Sequence, residues 1–184
     1  MIKRVEKSIE IFCSINTAFS FLSTFSNFPL WTSVSSVEHL SGDGGIGSRY
    51  AISTPTLLSK KTSTIEISQK TSPSHLAYKD LTLPFSNEIG FILSGTENNT
   101  TITMYRQVEL GLAASLLTSS FVGPQVISEI EKLLEKLKLV LENTSGKEKK
   151  VTSETKEEEE EVIVHNPFQE TAEETRRRFL KSNY

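Results

Sequence analysis

At 184 residues with 36% hydrophobic side chains, the chain has the length of one ordinary domain, and a second independent core is not expected. The net charge of −3 and the pI near 5.7, with no cluster of lysine and arginine in the apolar-rich part, argue against a nucleic-acid partner. Cys13 is the single cysteine, which excludes an intrachain disulfide, and neither an export signal nor a transmembrane segment is evident. We therefore expect a cytoplasmic protein.

The first part of the chain is dominated by the period-two alternation of half-buried strands. Residues 4–13 alternate in this way and predict the first strand. Asn16 is a candidate cap for a short helix with an aromatic face, and Pro29 suits the first turn of a second short helix. Further strands are predicted around Val37 and at residues 49–54, 63–69, 75–83, 88–94 and 100–110. Connections this short predict antiparallel neighbours.

The hydrophobic period changes after Gly123-Pro124. Over residues 126–141 the apolar side chains follow three- and four-residue steps, which predicts a long amphipathic helix with a charged outer face. Gly123-Pro124 either begins this helix or kinks a longer one that starts near Ala113. The pattern predicts an α+β domain over residues 1–143.

Residues 144–184 have a different composition. They consist mainly of Lys, Glu, Ser and Thr, with five consecutive glutamates at 157–161, and such a segment buries too little apolar surface to offset its ordering entropy. We expect an acidic, mostly disordered tail with a possible short helix at 167–181. That last segment is either a solvated end or a docking motif for a protein partner, with Phe168, Phe179 and Leu180 as anchors.

Several local motifs in this element order resemble the SRPBCC superfamily. They are Phe28-Pro29-x-Trp31 after the first strand, the glycine cluster 42–47, Gly95-Thr96 before a strand ending at Gly111, and the helical segment 131–142. The superfamily includes START lipid-transfer domains, birch-pollen-allergen proteins and polyketide cyclase/dehydrase-like proteins. The resemblance covers about residues 3–143, although Tyr50 stands where the allergen branch has a basic residue.

The resemblance implies a helix-grip fold, in which a curved antiparallel sheet of about seven strands wraps around the long C-terminal helix, with two short helices after strand one. It also implies a cavity between sheet and helix that holds an apolar small molecule or lipid. Only some members of the superfamily are catalytic. We therefore expect binding or transport of such a ligand, without a cofactor and without catalysis.

The inward positions of the strands, and the helix positions that face them, are the candidate lining of that cavity. For each one, packing into a dry core is the competing interpretation. The candidates are Phe21, Phe25, Trp31, Tyr50, Ile52, Ile65, Ile67, Leu76, Tyr78, Asp80, Phe91, Leu93, Ile102, Met104, Arg106, Phe121, Ile130, Leu134 and Leu137.

Two of these candidates are charged. Because an unpaired buried charge costs several kcal/mol, Asp80 and Arg106 must each meet a partner, water or a polar ligand group. One hypothesis is that Arg106 points into the cavity and orients a carboxylate or carbonyl of the ligand, with help from Tyr78. The alternative is that both charges lie at the rim of the sheet.

The sequence gives little sign of a catalytic or metal site. A strand follows the glycine cluster 42–47, so we interpret it as a hairpin turn with positive φ angles and not as a phosphate-binding loop. His39, His75 and His165 lie in separate segments, no metal-ligand spacing occurs, and no serine occupies a nucleophile elbow.

Two alternative functions remain open. In a metal-free cyclase or dehydratase, Tyr50, Tyr78, Asp80 and Arg106 would supply acid, base or oxyanion contacts. In an adaptor or chaperone-associated protein, the tail and surface would matter more than the cavity.

Overall fold

Seven strands form one antiparallel sheet. A computed structural model describes residues 2–83, 86–109 and 123–160, with side chains described as far as Thr144. The strands are β1 (Ile2–Ile11), β2 (Ser36–Ser41), β3 (Arg49–Pro55), β4 (Lys60–Thr71), β5 (His75–Asp80), β6 (Ser86–Gly95) and β7 (Thr100–Glu109). Their order is β1-β7-β6-β5-β4-β3-β2, and all neighbours pair antiparallel. The predicted meander of strands is confirmed.

Two short helices follow β1. They are α1 (Ile15–Ser23) and α2 (Phe28–Trp31), joined by a 3₁₀ turn (Phe25–Asn27). The cap of α1 is Ser14, whose hydroxyl accepts a hydrogen bond from the Thr17 amide at 3.0 Å, so the prediction of Asn16 as the cap is wrong. Asn16 lies inside the helix because β1 ends earlier than the alternation suggests. Pro29 occupies the first turn of α2, as predicted.

A long C-terminal helix, α3 (Pro124–Glu160), follows the sheet. Its inner face is buried, as the three- and four-residue steps predict, through Val126, Ile130, Leu134, Leu137 and Leu141. The helix begins at the proline, and the alternative start near Ala113 falls in residues 110–122, outside the described part. The backbone of α3 is helical to Glu160, past the expected domain boundary at 143. The residues after that boundary are rich in glutamate and lysine, which favour helix.

The chain divides into two units, Met1–Lys147 and Glu148–Tyr184. The sheet, α1, α2 and the buried face of α3 belong to the first unit, and a curved sheet with this helix order is a helix-grip fold. The predicted short helix at 167–181 lies outside the described residues. None of the described helices is long and apolar enough to span a bilayer.

The glycine cluster forms the turn between β2 and β3. Gly42, Gly44 and Gly47 have φ angles of +94°, +85° and +86°, which side chains with a Cβ rarely adopt. Ser48 stabilises the turn because its hydroxyl accepts a hydrogen bond from the Gly44 amide at 2.9 Å. The interpretation as a turn with positive φ angles is confirmed.

Candidate functional site

Close packing fills much of the space between the sheet and α3. Eight of the expected lining residues belong to one continuous apolar core, are no more than 3% exposed, and line none of the cavities described below. They are Ile67, Leu76, Phe91, Leu93, Ile102, Ile130, Leu134 and Leu137. In the structure as described, these side chains support the site instead of bordering its open space.

Open space lies toward one end of the sheet, where β3 and β5 end and β4 and β6 begin. We call this the Leu57 end, after a residue in the turn between β3 and β4. A cavity of about 210 Å³ lies there, bounded by the sheet, by α2 and the segment after it, and by the first turns of α3. Its lining comprises Phe28, Trp31, Thr32, Ser33, Val34, Ile52, Thr54, Ile65, Tyr78, Asp80, Asn87, Ile89, Met104, Glu129 and Leu133.

An aromatic cluster forms one wall of the cavity. Phe28 and Trp31 meet edge to face at 5.6 Å between ring centroids. Phe25 stacks on Tyr50 at 4.5 Å and meets the edge of Tyr78 at 5.8 Å. Phe28, Trp31 and Tyr78 are the members of this cluster that line the cavity, and the other rings pack behind them.

Several polar groups also border the cavity or contact its lining. Asp80 accepts a hydrogen bond from the Thr82 amide at 2.8 Å, and the buried Asn87 accepts one from Arg106 Nε at 3.0 Å. Burial raises the pKa of Tyr78 well above its usual range; the Arg106 charge opposes this shift and the Asp80 charge adds to it. The Tyr78 hydroxyl therefore stays protonated near neutral pH and can donate a hydrogen bond.

Trp31 adds a second donor. Its side chain is 1% exposed, lines the cavity, and its Nε1 has no hydrogen-bond partner among the described residues. A buried N–H without an acceptor costs about 1–3 kcal/mol, and an acceptor atom on a ligand would remove that penalty. The cavity is thus apolar over most of its surface, with donors at Trp31 and Tyr78 and a carboxylate at Asp80.

The structure brings together six of the expected lining residues at this cavity: Trp31, Ile52, Ile65, Tyr78, Asp80 and Met104. Phe25 and Tyr50 instead border a separate, shallow hollow of about 490 Å³ beside the glycine turn. Phe21 is half-buried against the core, and Phe121 lies outside the described residues. Arg106 is half-buried and reaches the cavity wall through its bond to Asn87.

Several lining residues were not predicted from the sequence. Thr54 and Ile89 lie inside the predicted strands at inward positions, and Asn87 lies two residues before Ile89, so the inward alternation taken along the whole of β3 and β6 includes all three. Leu133 lies on the apolar side of α3, whereas the charge of Glu129 gave no signal for a lining position. The remaining unpredicted residues are Phe28, Thr32, Ser33 and Val34, which belong to α2 and the irregular segment after it.

The site contains no evident metal-binding group. Within residues 2–83, 86–109 and 123–144, no three His, Cys, Asp or Glu side chains are arranged to hold an ion. The side chains that line the cavity supply hydrogen-bond donors, carboxylates and apolar contact.

Solved structures share this fold at low sequence identity. The di-domain ARO/CYC StfQ from the steffimycin biosynthetic pathway has a TM-score of 0.64 and 13% identity, over 79% of this chain and 53% of StfQ. The chain thus spans about half the length of that protein. A Thalictrum norcoclaurine synthase point mutant has a TM-score of 0.59 at 10% identity, covering 77% of this chain and 94% of the synthase. Ara h 8.0201 has a TM-score of 0.57 at 10% identity, covering 77% of this chain and 98% of Ara h 8.0201.

Sequence comparison, unlike the structural similarity, assigns the chain to a family. Comparison with curated protein sequences gives no match. The family model described as "Polyketide cyclase / dehydrase and lipid transport" matches residues 3–142, which is most of the chain and includes the whole described sheet from Lys3 onward. The chain therefore belongs to the polyketide cyclase/dehydrase and lipid transport family, within the SRPBCC superfamily.

Proposed function

We propose that this chain binds a small apolar molecule, or the apolar end of a lipid, in the cavity at the Leu57 end, and carries it without chemical change. The observation that carries the proposal is the cavity itself: about 210 Å³ of space with mostly apolar walls, next to closely packed core residues. An unfilled apolar void costs packing energy, about 24 cal/mol per Å³ in engineered cases, so a ligand that fills it gains that energy back.

The polar groups at the cavity select the ligand's functional group. Trp31 Nε1 is a donor that meets no acceptor among the described residues, and the protonated Tyr78 hydroxyl is a second donor. A ligand with one carbonyl, ether or hydroxyl oxygen would satisfy at least one of them. A carboxylate is a poorer fit because Asp80 would repel it across the same cavity.

The size of the cavity limits the ligand. Small-molecule sites usually measure about 300–1,000 Å³, and this cavity is smaller. It adjoins a surface groove along α3, because Ser33, Glu129 and Leu133 line both. A compact ligand fits inside the cavity, and a longer one would extend into the groove.

A pair of matched substitutions tests the proposal. Val34 lines the cavity, whereas Val37 borders the hollow beside the glycine turn, and both are half-buried against the core. Val34→Phe should fill the cavity and weaken binding of the neutral fluorescent probe N-phenyl-1-naphthylamine by about tenfold or more. Val37→Phe should leave binding unchanged. Equal affinities in the two variants, with both folded by circular dichroism, would reject this cavity as the site.

One observation favours a second candidate function, a cyclase- or dehydratase-type enzyme. Tyr78 and Asp80 lie two residues apart on β5 and border the same cavity, so a proton donor and a carboxylate face one space. Asp80→Asn would then abolish turnover of a polyketide-like substrate while leaving probe binding intact. A carrier predicts no turnover in either protein.

A further inference from the structure

The turn between β3 and β4 presents two leucines to solvent. Leu57 is 99% exposed and Leu58 is 94% exposed, the highest values among the large apolar side chains described. Lys60 and Lys61, both exposed, follow within the first residues of β4. Exposed apolar side chains beside cationic ones are the composition of a surface that inserts shallowly into an anionic bilayer.

The turn holds this pair in a fixed position. The Thr56 amide donates to the Ser59 carbonyl at 2.8 Å, and the Thr56 hydroxyl donates to that same carbonyl at 2.9 Å. The Ser59 amide in turn donates to the Thr56 hydroxyl at 3.1 Å. The backbone of the turn is therefore satisfied by Thr56 and Ser59, and neither leucine is needed to form it.

Leucine is an unusual choice for these positions. Glycine, proline, asparagine, aspartate and serine dominate tight turns, which are usually exposed to solvent. Leu57 and Leu58 bury almost no apolar surface in the folded chain. This surface is therefore available for contact with another molecule.

We propose that Leu57 and Leu58 insert into the surface of an anionic lipid bilayer while Lys60 and Lys61 contact its headgroups. A protein partner or a second copy of this chain fits less well, because a stable interface needs about 800 Å² per partner and the turn offers a narrow, convex tip. A bilayer accepts such a tip without needing a complementary surface.

Bilayer docking also has a consequence for the cavity, and this step rests on the proposed function. Thr54, Asp80 and Asn87 line the cavity and lie at the ends of β3 and β5 and the start of β6. The antiparallel register places these strand ends at the same end of the sheet as the turn. Insertion of the leucines would hold the Leu57 end of the sheet against the membrane, where an apolar ligand could exchange.

The test measures co-sedimentation of the full chain with phosphatidylcholine vesicles that contain or lack phosphatidylserine. Wild type should bind the phosphatidylserine vesicles, and more tightly at low salt. Leu57→Gln combined with Leu58→Gln should weaken binding by about tenfold or more. Lys60→Gln with Lys61→Gln should remove the preference for phosphatidylserine. Leu139→Gln is the matched control, since Leu139 is 62% exposed on α3, and should bind as wild type does.

Three results would overturn the docking proposal: no binding of wild type to either vesicle, an equal loss in the Leu139→Gln control, or vesicle binding unaffected by the double leucine substitution. A change in the oligomeric state of the double variant without vesicles, with vesicle binding unaltered, would assign the leucines to self-association instead. Binding of N-phenyl-1-naphthylamine in solution separates the two proposals. The double leucine variant should still bind the probe. If wild type does not bind the probe, the proposed ligand site in the cavity is contradicted, but the docking proposal is not.

Discussion

In the proposed carrier, the Tyr78 hydroxyl is the group on which ligand selectivity depends most. Tyr78→Phe keeps the ring and its contacts with Phe25 and Phe28, so it should change the free energy of unfolding by less than about 1.5 kcal/mol. The same substitution should weaken binding of the neutral ketone dye prodan by about fivefold and leave N-phenyl-1-naphthylamine binding unchanged. Fluorescence titration measures both. Tyr50→Phe is the control, and an equal effect there would contradict the assignment.

Tyr105, on the outer face of the sheet, should make the free energy of unfolding decrease at alkaline pH. Burial raises the pKa of Tyr105 to about 12, and the neighbouring Glu88 adds to the shift. The unfolded chain ionises this group near pH 10, so its contribution to stability is complete below about pH 10 and is lost as the pH rises through about 12.

Urea unfolding at a series of alkaline pH values measures this contribution. The free energy of unfolding should fall with pH less steeply in Tyr105→Phe than in wild type. The slope should not vanish, because the raised pKa of Tyr78 acts in the same direction. Identical slopes in the two proteins would mean that Tyr105 is not perturbed by the fold.

At the scale of the elements, the pairing of β6 with β7 requires a glycine at position 90. Gly90 lies directly opposite Tyr105, and a Cβ on Gly90 would stand 2.3 Å from the Tyr105 ring. The ring cannot move aside freely, because its hydroxyl bonds to His75 and Glu88 and the Arg4 guanidinium lies 3.8 Å above it. The glycine is thus required by close approach and not by its φ angle.

Gly90→Ala should therefore destabilise the fold by about 1–3 kcal/mol, the usual range for overpacking. Thermal and urea unfolding would measure it. The same substitution in a Tyr105→Ser background should cost clearly less, since the clashing ring is gone, and the difference is a double-mutant cycle. An undiminished cost would place the strain elsewhere in the strand.

The strands and α3 could be predicted from the sequence because each is a long run with one dominant period. The exceptions have local physical causes. Asn16 precedes the aromatic run, which predicts it as the cap, but the Thr17 amide donates its hydrogen bond to the Ser14 hydroxyl. Phe28 and Val34 were not predicted to line the cavity because α2 is too short to show a period, and their positions depend on tertiary packing.

The size of the cavity could not be predicted either. Alternation indicates which side of a strand faces inward, and Ile67 and Ile102 do face inward as expected. Whether an inward side chain borders a cavity or packs against α3 depends on the distance between sheet and helix, which the alternation does not encode. Ile52 and Ile65 reach the open space because they lie nearer the Leu57 end.

At the scale of the whole molecule, we propose that the helix-grip domain binds its ligand without the acidic C-terminal region. A chain ending at Lys147, the last residue of the first unit, should keep the thermal midpoint of the full chain and its affinity for N-phenyl-1-naphthylamine. Loss of probe affinity in this shortened, folded chain would favour the alternative in which residues 148–184, and a protein partner, are essential.

The central claim is that a ligand occupies the space between the sheet, α2 and α3. Methyl-labelled NMR of isoleucine and methionine tests it most directly, with the neutral probe added to the full chain. Shifts should concentrate on Ile52, Ile65, Ile89 and Met104, which line the cavity, with only small changes at the closely packed Ile102. Shifts absent from the cavity methyls and confined to exposed positions would contradict the claim.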